Sequence, residues 1–307
     1  MEGLVIRTTG SWHRVLAESA VYDCRLRGSY RLRGNKQTNP VAVGDRVRFE
    51  VQEDGVGVIT DVLDRRNYLV RKATKLSKQT HVIASNIDLL CVVATLGFPR
   101  TSTGFIDRLL ATAEAYHIIA CIVYNKSDLH DVEDTKEFEV LKERYERIGY
   151  KVYLTSAEKG IGIEQLREAM SGKLVLFSGH SGVGKSALLN AIDPTLDLRE
   201  GEVSEWSKKG KHTTTFAEIH PISNGNILLI DTPGIKEFGI VDMTSSELGH
   251  FFPEIRGRLH GCRFNTCTHT HEPGCAVKEA VERGEIDRER YDNYLGILNQ
   301  IEDDKTI

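Results

Sequence analysis

Gly179, Gly184, Lys185 and Ser186 stand in the spacing Gly-x4-Gly-Lys-Ser within "FSGHSGVGKSALLN". Glycines at those positions let backbone N–H groups curl around phosphate oxygens with no Cβ in the way. Lys185 adds a positive charge at the outer phosphates, and the Ser186 hydroxyl can hold Mg2+. The intervening His180, Ser181, Gly182 and Val183 supply further amides to the same loop. The pattern requires a strand before it and a helix after it; "KLVLF" and "SALLNAI" have those textures. Downstream, "LLIDTPG" ends an apolar run in Asp231, suited to holding the metal through water, and Gly234 can offer its N–H to a terminal phosphate. Between these lies "KKGKHTTTF", in which Thr214 is selected from three threonines to complete the Mg2+ shell when a third phosphate is present.

A second set of residues reads a base. The run "HIIACIVYN" leads into Asn125, Lys126, Ser127 and Asp128 ("NKSD"), and "KVYLTSA" ends near Ser156 and Ala157. A carboxylate such as Asp128 accepts from two guanine N–H donors, whereas adenine would meet it with a ring acceptor. The backbone N–H groups of Ser156 and Ala157 can serve the guanine carbonyl. Base-reading residues thus precede phosphate-reading residues, the reverse of the usual GTPase order. A circular permutation explains this: old termini joined, new ones opened beside the switch region, and the same sheet assembled. The segment after Asp231 then leads directly into the C-terminal part, so a switch driven by the third phosphate could move it.

A third cluster is Cys262-x4-Cys267-x-His269-x5-Cys275. Three thiolates and an imidazole suit a closed, tetrahedral, structural Zn2+ site, with His271 as an alternative to His269. In a reducing compartment cysteines so crowded point to a metal before a disulfide.

The elements that must position these groups are legible more coarsely. With 307 residues, 40% of them hydrophobic and 27% charged, the chain can form one large domain or two to three smaller ones, each with its own core. Residues 1–80 hold fifteen Lys/Arg against nine Asp/Glu, about +6, in a chain whose net charge is -4, which marks the first part as a separate electrostatic unit. There "AVGDRVRFEV" alternates Val43, Val47, Phe49 and Val51, "QEDG" turns, and "VGVITDVL" continues. Short strands in that density predict a small barrel, OB-fold or SH3-like. Residues 65–86, "RRNYLVRKATKLSKQTHVIASN", read as a basic linker extending the barrel's surface. From residue 87 the apolar runs "IDLLCVVATL", "HIIACIVYN", "KVYLTS", "KLVLFSG" and "NILLIDTPG" alternate with amphipathic segments, the pattern of a parallel α/β sheet buried on both faces. Val277, Ala280, Val281, Tyr291, Leu295, Leu298 and Ile301 fall at helical spacing and predict a packing face near the C-terminus. The apolar runs are too short to span a membrane and "MEGLVIRTTG" has no signal-peptide core, so a cytoplasmic monomer is expected.

Taken in order, a barrel, NKSD, TSA, GHSGVGKS, HTTT, DTPG and the Cys-x4-Cys-x-His-x5-Cys cluster resemble the bacterial RsgA family (also YjeQ or YloQ), circularly permuted GTPases, over essentially the whole chain. The resemblance implies an OB-fold over residues 1–72 that binds ribosomal RNA, a GTPase domain over 73–240 and a mainly helical zinc domain over 241–307. It implies GTP and GDP as ligands with Mg2+ and one structural Zn2+, and the small (30S) ribosomal subunit as partner. It also implies a role in late maturation of that subunit and hydrolysis stimulated by it. The residue after the DTPG motif is Ile235, which cannot hydrogen-bond an attacking water, so slow intrinsic hydrolysis is expected. His212 matches the family's switch-loop histidine, which implies a role in orienting that water. A small-molecule kinase would use the same phosphate loop, but has no reason to carry a guanine reader, a metal knot and a basic barrel. An RNA-binding scaffold stabilised by nucleotide is the other alternative, and partner-stimulated turnover discriminates against it.

Overall fold

Alternation of apolar and polar residues builds the N-terminal barrel. In a computed structural model that describes residues 1–28, 40–72, 80–198, 217–231 and 243–303, β1 (Glu2–Thr9), β2 (Trp12–Ala17), β3 (Ala20–Leu26), β4 (Arg46–Val51) and β5 (Gly57–Val62) turn Val5, Val15, Cys24, Val47, Phe49 and Ile59 inward. The order is β1-β2-β3-β5-β4, with β4 pairing back onto β1 and β3 parallel to β5. This closed five-stranded barrel is OB-like. Of the predicted alternating residues, Val43, Val47 and Phe49 are buried, while Val51 lies on the open face.

Residues 65–86 are not a linker. They contain a two-stranded antiparallel hairpin, β6 (Tyr68–Lys72) and β7 (Thr80–Ser85), whose Leu69, Val82 and Ala84 are buried. Its alternation is short and flanked by basic residues, so the apolar period is masked in the sequence. A buried carboxylate anchors it: Asp45, fully inaccessible, accepts from Arg65 Nε (2.7 Å) and Nη2 (2.8 Å), from Ser85 Oγ (2.6 Å) and from the Ala42 amide (2.7 Å). Four donors to one carboxylate offset its desolvation.

Beyond it stands the α/β layer. The strands β8 (Leu89–Ala94), β9 (Ala120–Tyr124), β10 (Lys151–Leu154), β11 (Leu174–Ser178), β12 (Glu218–Ile222) and β13 (Ile227–Asp231) are ordered β10-β9-β8-β11-β13-β12. All pairs are parallel except β12 with β13. Each run singled out for this sheet forms a strand. Strand β12 carries no such run: "EIHPI" is short, contains Pro221, and buries only Ile219 and Ile222. Among the described residues, four helices pack on the sheet or open beside it: α1 (Thr103–Ala115), α2 (Val132–Arg147), α3 (Ile163–Met170) and α4 (Lys185–Ile192). Because strand order turns back between β8 and β11, their carboxyl ends frame the crevice in which such sheets bind ligands.

The C-terminal part comprises a short helix α5 (Pro253–Arg256), then α6 (Ala276–Glu282) and α7 (Arg288–Asp303). Val277, Ala280, Tyr291, Leu298 and Ile301 form its core, with Val281 and Leu295 packed at the margin, so the predicted helical face is a packing face. This part is clamped to α1 by a buried ion-pair network. Arg290, 2% exposed, reaches Asp107 Oδ1 (2.6 Å) and Glu254 Oε1 (2.8 Å), while Asn293 donates to Asp107 Oδ2 (2.7 Å) and Tyr145 to Asp107 Oδ1 (2.9 Å). Burial pushes the Asp107 carboxyl up, and Arg290 opposes that push. Displacing the C-terminal part from α1 would strand these charges. Arg290→Ala leaves two buried carboxylates without their cation and is expected to cost about 3–5 kcal/mol, read as a lower urea midpoint; Arg290→Lys, unable to bridge both carboxylates, should recover only part.

Candidate functional site

The phosphate loop lies between the carboxyl end of β11 and α4. Gly179 passes so close to β8 that a Cβ there would lie 2.3 Å from the Val93 carbonyl oxygen. Gly184 opens α4 at φ 91°, and a Cβ on it would strike Asn125 Nδ2 at 2.4 Å. Lys185 Nζ donates to the carbonyls of Gly179 and His180, both at 2.8 Å, which holds its charge inside the loop's curve. Val183 and Ser186 are buried, and Ser181 and Gly182 are exposed at the rim. The amides of α4's first turn have no intrahelical partners and supply an anion-binding end. The His180 ring stacks on Phe105 of α1, centroids 3.8 Å apart, and burial followed by the Lys185 charge lowers its pKa.

Asn125 joins this loop to the NKSD and TSA segments. It is 1% exposed. Its Nδ2 donates to Val183 O (3.0 Å), and its Oδ1 accepts from Thr155 Oγ1 (3.2 Å) and the Ala157 amide (3.3 Å). Lys126 follows in the left-handed region, φ 64°, and its Nζ donates to Phe98 O (3.2 Å). The Ser127 amide donates to Thr155 O (3.0 Å). Asp128 is exposed, and its carboxylate accepts the Ser156 hydroxyl, whose oxygen in turn accepts the Lys159 amide at 3.0 Å. The two amides expected to serve a base carbonyl differ. That of Ser156 is committed to Ile161 O at 3.0 Å, whereas that of Ala157 has only the longer bond to Asn125. Ala157 is therefore the better donor.

Sequence reasoning missed residues 95–101, which follow β8 and lie against the loop. The Thr95 hydroxyl donates to Pro99 O and the Thr95 amide to Thr101 Oγ1 (3.1 Å). The Pro99 ring stands 3.3 Å from where a Cβ on Gly182 would lie. Phe105 was missed as well. No local pattern marks either, because both act through tertiary contact alone.

Asp231 ends β13 and is 6% exposed. Burial first, and then the negative charge of Glu218 across the strand pair, raise its pKa to about 7. A buried carboxylate so short of compensation fits a cation, and the Ser186 hydroxyl is the other magnesium candidate in the described residues. His212, Thr214, Gly234 and Ile235 lie outside the described residues.

Cys262, Cys267, His269 and Cys275 bring their ligand atoms within 4.8 Å of one another, and this cluster could hold a metal ion. His269 Nδ1 lies 3.6 Å from Cys262 Sγ and 3.4 Å from Cys275 Sγ. His271 is exposed, and its Nδ1 lies 2.9 Å from Thr270 Oγ1; of the two histidines, His269 faces the thiols. Helix α7 steadies the knot, since Tyr291 donates to His269 O (2.5 Å) and Tyr294 to Thr268 O (2.9 Å).

Family models match the chain in two stretches, the RsgA N-terminal domain over residues 2–59 and the RsgA GTPase over residues 62–241. A small ribosomal subunit biogenesis GTPase RsgA 2 of Bacteroides thetaiotaomicron is 46% identical, over 99% of this chain and 98% of the relative. Its counterpart in Christiangramia forsetii is 47% identical, over 100% and 98%. Among solved structures, YjeQ from Thermotoga maritima superposes with a TM-score of 0.82 at 37% identity, covering 98% of each chain. YloQ, described as a circularly permuted GTPase, gives 0.77 at 34% identity, covering 98% of this chain and 95% of its own.

If Asp128 reads the guanine N–H donors, Asp128→Asn should reduce the preference for GTP over inosine triphosphate, which lacks the exocyclic amino group, by about tenfold or more, ~1.4 kcal/mol. Competition binding measures the ratio, and an unchanged ratio would remove Asp128 from base recognition.

Proposed function

The chain belongs to the RsgA GTPase family, and from that premise we propose that it binds the small ribosomal subunit late in maturation and hydrolyses GTP to GDP and phosphate there. The observation that carries the nucleotide reading is Asn125, whose amide ties the NKSD segment to the phosphate loop and to the TSA segment in one buried cluster. A guanine at Asp128 and phosphates at Lys185 then belong to one ligand.

In this reading Asp128 accepts from the guanine N–H groups and the Ala157 amide donates to the base carbonyl. Lys185 exchanges its carbonyl partners for phosphate oxygens, and the amides from His180 to Ser186 complete the cradle. Ser186, Asp231 and Thr214 would hold Mg2+, which when bound would neutralise charge developing on the phosphates. Gly234 donates to the terminal phosphate. With Ile235 after the motif, His212 orients the attacking water, and the subunit places the switch segment so that it can do so. Intrinsic hydrolysis is then slow and the partner stimulates it.

The barrel is the RNA-binding unit, the α/β layer the GTPase and the C-terminal part the zinc unit, and the boundary expected at residue 72 falls inside the β6–β7 hairpin. Most of the basic excess of residues 1–80 lies in residues 65–78, with six Lys/Arg and no Asp/Glu, whereas residues 1–62 hold nine Lys/Arg against eight Asp/Glu. Exposed guanidinium groups on the barrel include Arg14 and Arg48, ion-paired to Asp23 and Glu2, and Arg25, 4.0 Å over the Trp12 ring. Such groups suit rRNA phosphates, which supply affinity without reading sequence. For the metal knot, Zn–S bonds of about 2.3 Å in a tetrahedron set sulfur atoms roughly 3.8 Å apart, and Cys262 Sγ lies 4.0 Å from Cys275 Sγ. The donor set therefore fits Zn2+, which would fix the loop from Cys262 to Cys275 against α7. No helix among the described residues is long and apolar enough to cross a membrane; in this reading the protein works at the ribosome, in the cytoplasm and as a monomer.

GTP turnover by the purified protein, alone and with isolated small or large subunits at equal salt, tests the reading. A rise of about tenfold or more with small subunits, ~1.4 kcal/mol in the barrier, and little with large ones is expected. Equal rates in all three, with GTP bound normally, would contradict it.

A further inference from the structure

Strand β12 would be an open edge of the α/β sheet, and an open edge is normally protected. The barrel protects it: β1 pairs antiparallel with β12, with Arg7 opposite Glu218. On the other side of β12, Glu218 is opposite Asp231 of β13. Residues directly opposite in antiparallel pairs project from the same face. Arg7, Glu218 and Asp231 therefore form a row across three strands, one cation and two anions, running from the barrel to the end of β13.

The row is partly screened from water. Arg7 Nη1 lies 3.5 Å from Glu218 Oε1, with side-chain exposures of 34% and 26%, and Asp231 is 6% exposed. Neighbouring strands are about 4.8 Å apart, so Glu218 is one strand from Asp231 and Arg7 two. At those distances, half out of solvent, both charges act on a cation at Asp231, the nearer one more strongly. The register shift in β1 between Val5 and Arg7 falls where this strand leaves β4 for β12, which aims Arg7 along the row.

We propose that Glu218 is a positioning carboxylate for the divalent cation at Asp231, and that Arg7, a barrel residue, sets how much of the Glu218 charge that cation feels. The barrel then contributes to the metal's binding constant through its own docking on β12. The inference rests on the reading of Asp231 as the magnesium carboxylate of a guanine-nucleotide site.

The test uses the full chain loaded with N-methylanthraniloyl-GDP and follows release of the fluorescent nucleotide as MgCl2 is varied, a readout that needs no turnover. Glu218→Gln, nearly isosteric, should raise the Mg2+ concentration for half-maximal retention by about threefold or more, and Arg7→Gln should lower it by a similar factor. In the Glu218→Gln background, Arg7→Gln should have much less effect. Arg7→Lys keeps the charge and should stay near wild type, which separates the charge effect from damage to strand pairing. An unchanged half-point in Glu218→Gln, with a large rise in Asp231→Asn, would overturn the inference and leave the magnesium reading intact. No change in Asp231→Asn would overturn both.

Discussion

Asn125 has one carboxamide and uses both ends of it in the interior. Its Nδ2 holds Val183 of the phosphate loop, and its Oδ1 holds Thr155 and Ala157 of the segment after β10. Three stretches far apart in the chain are thus tied at one point. A buried carboxamide left unpaired costs more than a satisfied one contributes, so each stretch constrains the other two. The close approach of Gly184 to this amide explains why the loop carries no side chain there. The cut that permutes the chain changes which segment comes first, but not the sheet order around β8 and β11, and that order brings Asn125 under the loop.

Two further constraints radiate from this centre. Helix α1 stacks Phe105 on His180 of the phosphate loop and, two residues later and towards another side, presents Asp107 to Arg290. The C-terminal part is accordingly seated on the element that touches the loop. Sequence order suggested a part free to follow the segment after Asp231, but the buried charges between α1 and α7 oppose such a displacement. On the other flank, the barrel docks on β12 through β1 and is secured by Asp45, Arg65 and Ser85. Both appendages therefore bear on the nucleotide crevice, one through a helix beneath the loop and one through the strand beside Asp231.

The motifs were legible because their chemistry is local. A phosphate cradle needs Gly179, Gly184 and Lys185 at fixed spacing, and the thiol-imidazole knot happens to draw all its donors from residues 262–275. Strands β8, β9, β11 and β13 were legible because burial on both faces writes continuous apolar runs. The hairpin β6–β7 was not, because its apolar stretches, residues 69–70 and 82–84, are short and flanked by basic residues. Strand β12 was hidden by Pro221 and by its position at an edge that the barrel covers. The ion pair of Asp107 with Arg290 joins residues 183 positions apart, and no spacing rule reaches that far. The choice between His269 and His271 likewise depended on which ring faces the thiols.

One buried amide, that of Asn125, ties the NKSD segment and the phosphate loop into a single site. The most direct test of that tie is the affinity of Asn125→Ala for GDP, by calorimetry on protein shown to be folded by circular dichroism. A loss of about thirtyfold or more, ~2 kcal/mol, is expected, although Asn125 is not asked to touch the phosphates. Wild-type affinity in a folded Asn125→Ala protein would contradict it.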